Sequence, residues 1–474
     1  MSKYIFCLSC TLLFFIQSCT STMESKIDDL VQMYMDKNLF SGVVLYAEKG
    51  EIQYNKAFGY ADHEHNIKNT INTKFNIGSL NKDFTTVIIL QLCADDSLSL
   101  DKPIGNYMDG LSKDVLNTVT IRQIIRHEAG FSDYGFNTEY QNNPKKFDTV
   151  DKLMELVRQE NMLFKPGTNH YYSNSGFIVL GKIIENVTHQ SFGEVLKERI
   201  FSPLNMNDTL YNNFDEIKNR ATGYIISATG KLRDASEFEG PASPAGGCYS
   251  TTGDLFKFYN SLKNTNLLLN DTYKQKMYTN VNEKIRMPWS KISSDESFFT
   301  AKAGGLEGFN SIVIEWLARE EVTIVLANYD EPIAEDVGMG VFSIMKDLEP
   351  DKPVIPAGQY VYKLLQEKGY EYLSAHYDSL MDINNYQYDD QWLLNQVGYD
   401  LLHEDKSEQA IQIFKLNVQR FPDEANPYDS LGEAYMNNGQ NEKAIENFKK
   451  SLKIDPEKKH SKEMLSKLLK DRDV

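Results

Sequence analysis

Four residue types recur at one interval near the C-terminus. Gly398, Ala410, Phe414 and Pro422 return as Gly432, Ala444, Phe448 and Pro456, each 34 residues on. Four matches at a single period are hard to obtain by chance. Small Gly and Ala positions let two helices approach closely, and proline cannot continue a helix. Leu394 and Tyr428 share an early register, as do Leu401 and Tyr435. The period and residue types resemble those of repeats built from helix pairs. A single pair cannot bury its own apolar face, and about three are expected. Gln359 to Met381 supplies a degenerate first pair in this reading, and Ser461 to Leu469 a capping helix.

The stretch "EPDKPVIPAG", residues 349–358, holds three prolines and marks a boundary between residues 24–348 and a helical part at 359–474. The upstream part is patterned differently. Glu24 to Lys37 has Ile27, Leu30, Val31 and Tyr34 on one helical face. The run "FSGVVLYAEKGEIQYNKAFGYAD" contains two strand-like stretches joined at Lys49-Gly50, which predicts a hairpin. A second hairpin is predicted with strands near Ser311–Trp316 and Val322–Asn328. Helices and loops fill the space between. Strand pairs at both ends around helices predict an α+β fold, one antiparallel sheet flanked by helices.

The N-terminus reads "MSKYIFCLSCTLLFFIQSCTSTMESK". Its apolar run, Tyr4 to Ile16, is shorter than the roughly 20 residues that span a bilayer. It has the layout of a secretory signal. The ending Ile16-Gln17-Ser18-Cys19 resembles the bacterial lipobox, which implies a signal at 1–18, lipidation of Cys19 and a tether at 19–23. The alternative is an ordinary signal with an incidental cysteine. Of the five cysteines, Cys93 and Cys248 remain in the body of the chain and read as buried small apolar residues. No C-x-x-C outside the signal and no H-E-x-x-H occurs, so no metal is implied. A formal net charge of -17 without a long basic run argues against nucleic acid as a partner.

"FNIGSLNKDF" places Ser79 and Lys82 three residues apart, on one face if the segment is helical. Ser-x-x-Lys alone is weak, since Ser99/Lys102 and Ser343/Lys346 share it. Context separates them: Ser79 follows Ile77-Gly78 and opens a run, "KDFTTVIILQL", that reads as a buried helix. A helix start favours a developing anion. A serine needs a base to become a nucleophile. Lysine's reference pKa is about 10.4, and lowering it by roughly 3 units costs about 4 kcal/mol. A lysine base therefore demands burial or a second cation. Tyr172-Ser173-Asn174 and Lys302-Ala303-Gly304 complete the set of candidate pieces.

With these pieces, and with "VTIRQIIRHEAGFSDY", "KPGTNHYYSNSGFIVLG", "IFSPLNMNDT", "PAGGCYSTTGDLFKFYNSL" and "AGGLEGFNS" in order between Phe40 and Asn328, the chain resembles the serine β-lactamase-related hydrolases. It is nearest the class C β-lactamase, D,D-carboxypeptidase and carboxylesterase branch. The C-terminal repeats resemble tetratricopeptide (TPR) repeats. The first resemblance implies roles. Ser79 is the acylated nucleophile, Lys82 its base partner, and Tyr172 the proton donor to the leaving group. Asn174 binds substrate and holds Lys82. Lys302 and Gly304 bind substrate, with Lys302 as the second cation. The N–H groups of Ser79 and Gly305 form the oxyanion hole. Ala303 stands where many relatives carry a hydroxyl that binds a substrate carboxylate. No Glu-x-x-Leu-Asn follows the Tyr172 block, which argues against class A deacylation. His127 reads as structural, because no Gly-x-Ser-x-Gly surrounds Ser79. Asp254 reads as part of a helix start capped by Thr251 or Thr252.

The expectation is a lipid-anchored bacterial envelope serine hydrolase, working through an acyl-enzyme on an ester or amide. Its substrates are cell-wall D-amino-acid peptides or small esters, with β-lactams ranked below them. No cofactor is implied. The TPR-like part is either a groove for a protein partner or a brace for the catalytic part. The alternative is a non-catalytic peptidoglycan or peptide sensor whose working end is the TPR-like module.

Overall fold

The computed structural model describes residues 22–211, 217–277, 299–330 and 332–470. Cys19 and the expected signal at 1–18 lie outside the described residues.

Helix α1 (Met23–Met35) starts at Thr22, whose side chain accepts from Ser25 N. Strands β1 (Gly42–Glu48) and β2 (Glu51–Phe58) form the first hairpin. A short hairpin, β3 (Tyr224–Ile226) and β4 (Leu232–Asp234), lies in the middle of the chain. The last three strands are β5 (Phe299–Leu306), β6 (Phe309–Trp316) and β7 (Glu321–Ala327). Together they make one antiparallel sheet in the order β2-β1-β7-β6-β5. Both expected hairpins are present. Strand β5 was not anticipated: it extends the second hairpin to three strands and forms the sheet edge.

Alternation along the strands feeds two cores. Val43, Leu45, Val313, Ile324 and Leu326 pack into a large cluster with helix α2 (Lys82–Ala94) and helix α3 (Asn174–Thr188). Val44, Ile312, Ile314 and Val325 face the other way, onto α1 and helix α4 (Ile333–Met345). Each fully buried aliphatic side chain contributes about 1.5–3 kcal/mol. Helix α2 is apolar around nearly its whole circumference, from Phe84 to Cys93, so it is the central helix of the first cluster. Cys93 and Cys248 are buried and unpaired to each other.

From residue 348 to Pro356 the chain has no regular secondary structure, and Ala357 and Gly358 already belong to the next helix. That helix, α5 (Ala357–Ile383), is broken at Gly369, whose φ of 79° separates two helical stretches. Two helix pairs follow: α6 (Trp392–His403) with α7 (Ser407–Arg420), and α8 (Ala425–Asn437) with α9 (Asn441–Ile454). Helix α10 (Lys459–Lys470) closes the array. The repeated residues do what their sizes require. A Cβ at Gly398 would lie 2.4 Å from the Phe414 ring, and one at Gly432 2.8 Å from the Phe448 ring.

The array also grips the main body. The tip of the β3–β4 hairpin enters it, with Ala228 buried in the array's own core. Ala228 N donates to Asp400 Oδ2 at 2.8 Å. Glu404 takes hydrogen bonds from Ser227 Oγ and Thr229 Oγ1 and pairs with Lys231 at 3.0 Å.

Candidate active site

Ser79 sits on a tight turn, Gly78–Asn81, immediately before α2, and Lys82 is the first residue of that helix. The turn aims both side chains at one point. Lys82 Nζ lies 2.9 Å from Ser79 Oγ, and Tyr172 OH lies 2.6 Å from the same oxygen. Lys82 also donates to Asn174 Oδ1 at 2.8 Å and to Ala245 O at 2.5 Å. Its side chain is otherwise buried. Two of its three partners are acceptors only, whereas a hydroxyl both donates and accepts. The cluster thus holds an ammonium with three acceptors. It equally holds a neutral amine with two acceptors and a lone pair aimed at the Ser79 hydroxyl.

Tyr172 is oriented from behind by His127, whose ring stacks on it at 4.5 Å and 29°. His127 Nδ1 accepts from Ser173 N at 3.1 Å, and its carbonyl accepts from Tyr171 N at 2.9 Å. Burial, with Lys82 and His170 adding to it, pushes the His127 pKa down to about 3. The ring is neutral, and with Nδ1 accepting, its proton is on the other nitrogen. The structural reading of His127 holds, and its contacts add a role in fixing the Tyr172 backbone. Asn174 begins α3, capped by Ser173. Its backbone N and its Nδ2 donate to Asp133 Oδ2 at 2.8 and 3.0 Å.

The edge strand β5 packs its backbone directly on the Ser79 turn. A Cβ at Gly304 would lie 2.2 Å from Ile77 O and 2.8 Å from Ser79 N. One at Gly78, where φ is 49°, would lie 2.6 Å from Gly305 N. Only glycine at both positions lets these chains approach so closely. Ser311 Oγ, within 3.0 Å of Ile77 O and 3.1 Å of Gly304 O, stitches the two together.

Lys302 is held by two carboxylates. Its ammonium pairs with Asp83 Oδ2 at 2.8 Å and Glu315 Oε2 at 3.4 Å, and it lies over the Tyr259 ring. Burial alone would depress its pKa, but Asp83 and Glu315 hold it above the usual lysine value. The expected second cation beside Lys82 is thus already neutralised by two carboxylates. Asp254 is buried at a helix start, with its N–H donating to Thr251 Oγ1 at 3.2 Å, as expected.

A cleft of about 1110 Å³ opens over Ser79 and is walled by Tyr171, Phe238, Leu306 and the glycine-rich run Gly246-Gly247. Asp133 and Glu307 also line it, and among the described residues that line it there is no Lys or Arg. Sequence reasoning missed Asp133 and Ala245 O. The first lies 41 residues before Asn174, and the second is a backbone atom with no residue signature.

An antiparallel sheet flanked by helices, with a serine at the head of a central helix and a lysine one turn on, defines the β-lactamase and penicillin-binding-protein class of folds. The sequence pattern of the beta-lactamase family matches residues 27–341, and this chain belongs to that family. The tetratricopeptide repeat pattern matches residues 425–458. The teichoic acid D-alanine hydrolase of Staphylococcus aureus is 26% identical over 234 residues, 49% of this chain. That match spans a little over half, 57%, of the relative's own length. Penicillin-binding protein 4* of Bacillus subtilis is 26% identical over 329 residues, covering 64% of this chain and 72% of that protein. Among solved structures, the octameric penicillin-binding protein homologue from Pyrococcus abyssi superposes with a TM-score of 0.62 at 23% identity. It covers 73% of this chain and 81% of that one.

Proposed function

We propose that this protein is a serine hydrolase that cleaves an ester or amide through an acyl-enzyme on Ser79. The observation that carries the reading is the three-way contact of Ser79 Oγ with Lys82 Nζ and Tyr172 OH at the floor of an open cleft. In the proposed reaction the Ser79 oxygen bonds to the substrate carbonyl carbon while its proton passes to the neutral Lys82 amine. The N–H groups of Ser79 and Gly305 take the charge that develops on the carbonyl oxygen. Tyr172 gives its proton to the leaving group and recovers one from Lys82. Water then cleaves the acyl bond with the same groups acting in reverse.

The substrate class in this reading is a D-aminoacyl ester or amide of the cell envelope. The likeness to the staphylococcal teichoic acid D-alanine hydrolase supports it. So does the cleft, whose lining carboxylates, Asp133 and Glu307, suit a substrate bearing an ammonium rather than a free carboxylate. Lipidation at Cys19 and envelope attachment complete the proposal, supported by the lipobox-like ending of the N-terminal run. Metabolic labelling with a lipid analogue, lost in Cys19→Ala, tests that part. The TPR-like array is proposed to serve a protein partner as well as to brace the hydrolase.

The deciding experiment is intact-mass spectrometry of the protein after exposure to a p-nitrophenyl ester and, separately, a penicillin, with Ser79→Ala alongside. An adduct that disappears in the variant supports the proposal. An ester adduct without a penicillin adduct places the protein on the esterase side. No adduct from either reagent on a folded chain favours the non-catalytic sensor.

A further inference from the structure

Asp133 touches neither Ser79 nor Lys82 in any contact above, yet it settles how Asn174 faces them. The two ends of an Asn side-chain amide differ: one accepts and the other only donates. An ionised carboxylate only accepts. Asp133 Oδ2 takes both the Asn174 backbone N–H and Nδ2, and Asp133 Oδ1 takes Gly135 N at 2.9 Å. Nδ2 must therefore face Asp133, which leaves Oδ1 for Lys82 Nζ. A flipped amide would set a carbonyl oxygen against the carboxylate and an NH2 against the lysine, two repulsive contacts in place of two attractive ones.

We propose that Asp133 is a positioning residue that sets the polarity of the Asn174 amide and, through it, the aim of Lys82 at Ser79. This rests on the reading of Ser79 as the acylated nucleophile. The loop that carries Asp133 is fixed independently. Ser173 Oγ donates to Ser132 O at 2.6 Å, Tyr134 N donates to Ser175 Oγ at 2.9 Å, and Glu160 Oε2 accepts from both Ser132 and Ser175. These bonds keep the loop on the start of α3 when Asp133 changes. The isosteric Asp133→Asn turns one of the two acceptors into a donor, so the contacts to Asn174 N, Asn174 Nδ2 and Gly135 N can no longer all be kept and the hold on the Asn174 amide weakens.

The test is a double-mutant cycle on the full chain, read as the rate of Ser79 acylation by a p-nitrophenyl ester. Asp133→Asn should slow acylation by about 10- to 100-fold, as expected for a base displaced by a fraction of an ångström to one ångström, with kcat falling and KM nearly constant. In an Asn174→Ala background the same change should cost less than about 3-fold, because the group it acts through is gone. Equal losses in both backgrounds would overturn the inference, as would acylation of folded Asp133→Asn at the wild-type rate. Melting curves establish folding. If Asp133→Asn does not fold, Asp133→Ser takes its place in the same cycle and is judged by the same outcomes. A wild-type chain that forms no Ser79 adduct overturns the hydrolase reading and this one with it, whereas an intact wild-type reaction with no cycle coupling overturns this one alone.

Discussion

Gly304→Ala is a one-methyl perturbation whose effect follows from two distances. The added carbon would sit 2.2 Å from Ile77 O and 2.8 Å from Ser79 N. Both atoms are backbone, so no flexible side chain can swing aside. To reach ordinary van der Waals separation, β5 must retreat from the Ser79 turn by roughly 1 Å. Gly305 N, the proposed oxyanion donor beside Ser79 N, moves with it. Losing one oxyanion donor costs about 100- to 1,000-fold, or ~2.7–4 kcal/mol of transition-state stabilisation. The same overpacking costs about 1–3 kcal/mol of stability, which a domain of this size survives. The assay is the pre-steady-state release of p-nitrophenol, with urea melts in parallel. Gly230→Ala is the control. Its Cβ would meet nothing within 4 Å, but its φ of +81° makes alanine strained, so it lowers stability without touching the cleft. Acylation of Gly304→Ala at the wild-type rate would refute the argument that the glycine contact brings the two N–H groups together.

Two other outcomes are expected. His127 is neutral in the folded protein down to about pH 3 because it is buried, but in the unfolded chain it takes up a proton near pH 6.5. The unfolded state therefore binds more protons across that window, and stability falls as pH drops from about 6.5 toward 3, by up to about 1.4 kcal/mol per pH unit. Urea melts at pH 7 and pH 5 should show a smaller acid loss in His127→Gln; an equal loss would show that His127 is not the group responsible. In the array, Gly398→Ala drives a methyl to within 2.4 Å of the Phe414 ring, which is fully buried. It should cost about 1–3 kcal/mol, read as a lower urea midpoint by circular dichroism, and an unchanged midpoint would mean the α6–α7 pair packs more loosely than described.

What the sequence disclosed depended on how local each signal was. The Lys49-Gly50 turn and the alternating runs beside it announce a hairpin within a few residues, and the 34-residue period announces the helix pairs. Ser79, Lys82, Tyr172 and Asn174 were identifiable because their neighbours are distinctive, and the structure brings all four together. Strand β5 carries only a short signal: "FTAKAGGL" alternates no further than Ala303 before two glycines, and the whole segment is extended because β6 pairs with it along its length. The partners of Lys302 are hidden for a related reason: Asp83 and Glu315 come from a helix far away in the chain and from the neighbouring strand. Asp133 lies in "HEAGFSDY", where nothing signals that its carboxylate meets an amide 41 residues later.

The β3–β4 hairpin has a consequence for how this chain can change over generations. Ala228 is 5% exposed, and a Cβ on Gly358 would lie 3.2 Å from Val397 and 3.8 Å from Ala228. A larger side chain at 228 collides with the array, and loss of Asp400 strands the Ala228 N–H. The segment beyond β4 leads straight to Phe238 and Gly246 in the cleft wall. Mutations on the two sides of the proline-rich stretch are thus not independent draws. The hairpin tip and the first turns of the array must drift as a matched pair, and a repeat array exchanged from another protein would inherit a socket cut for the wrong key.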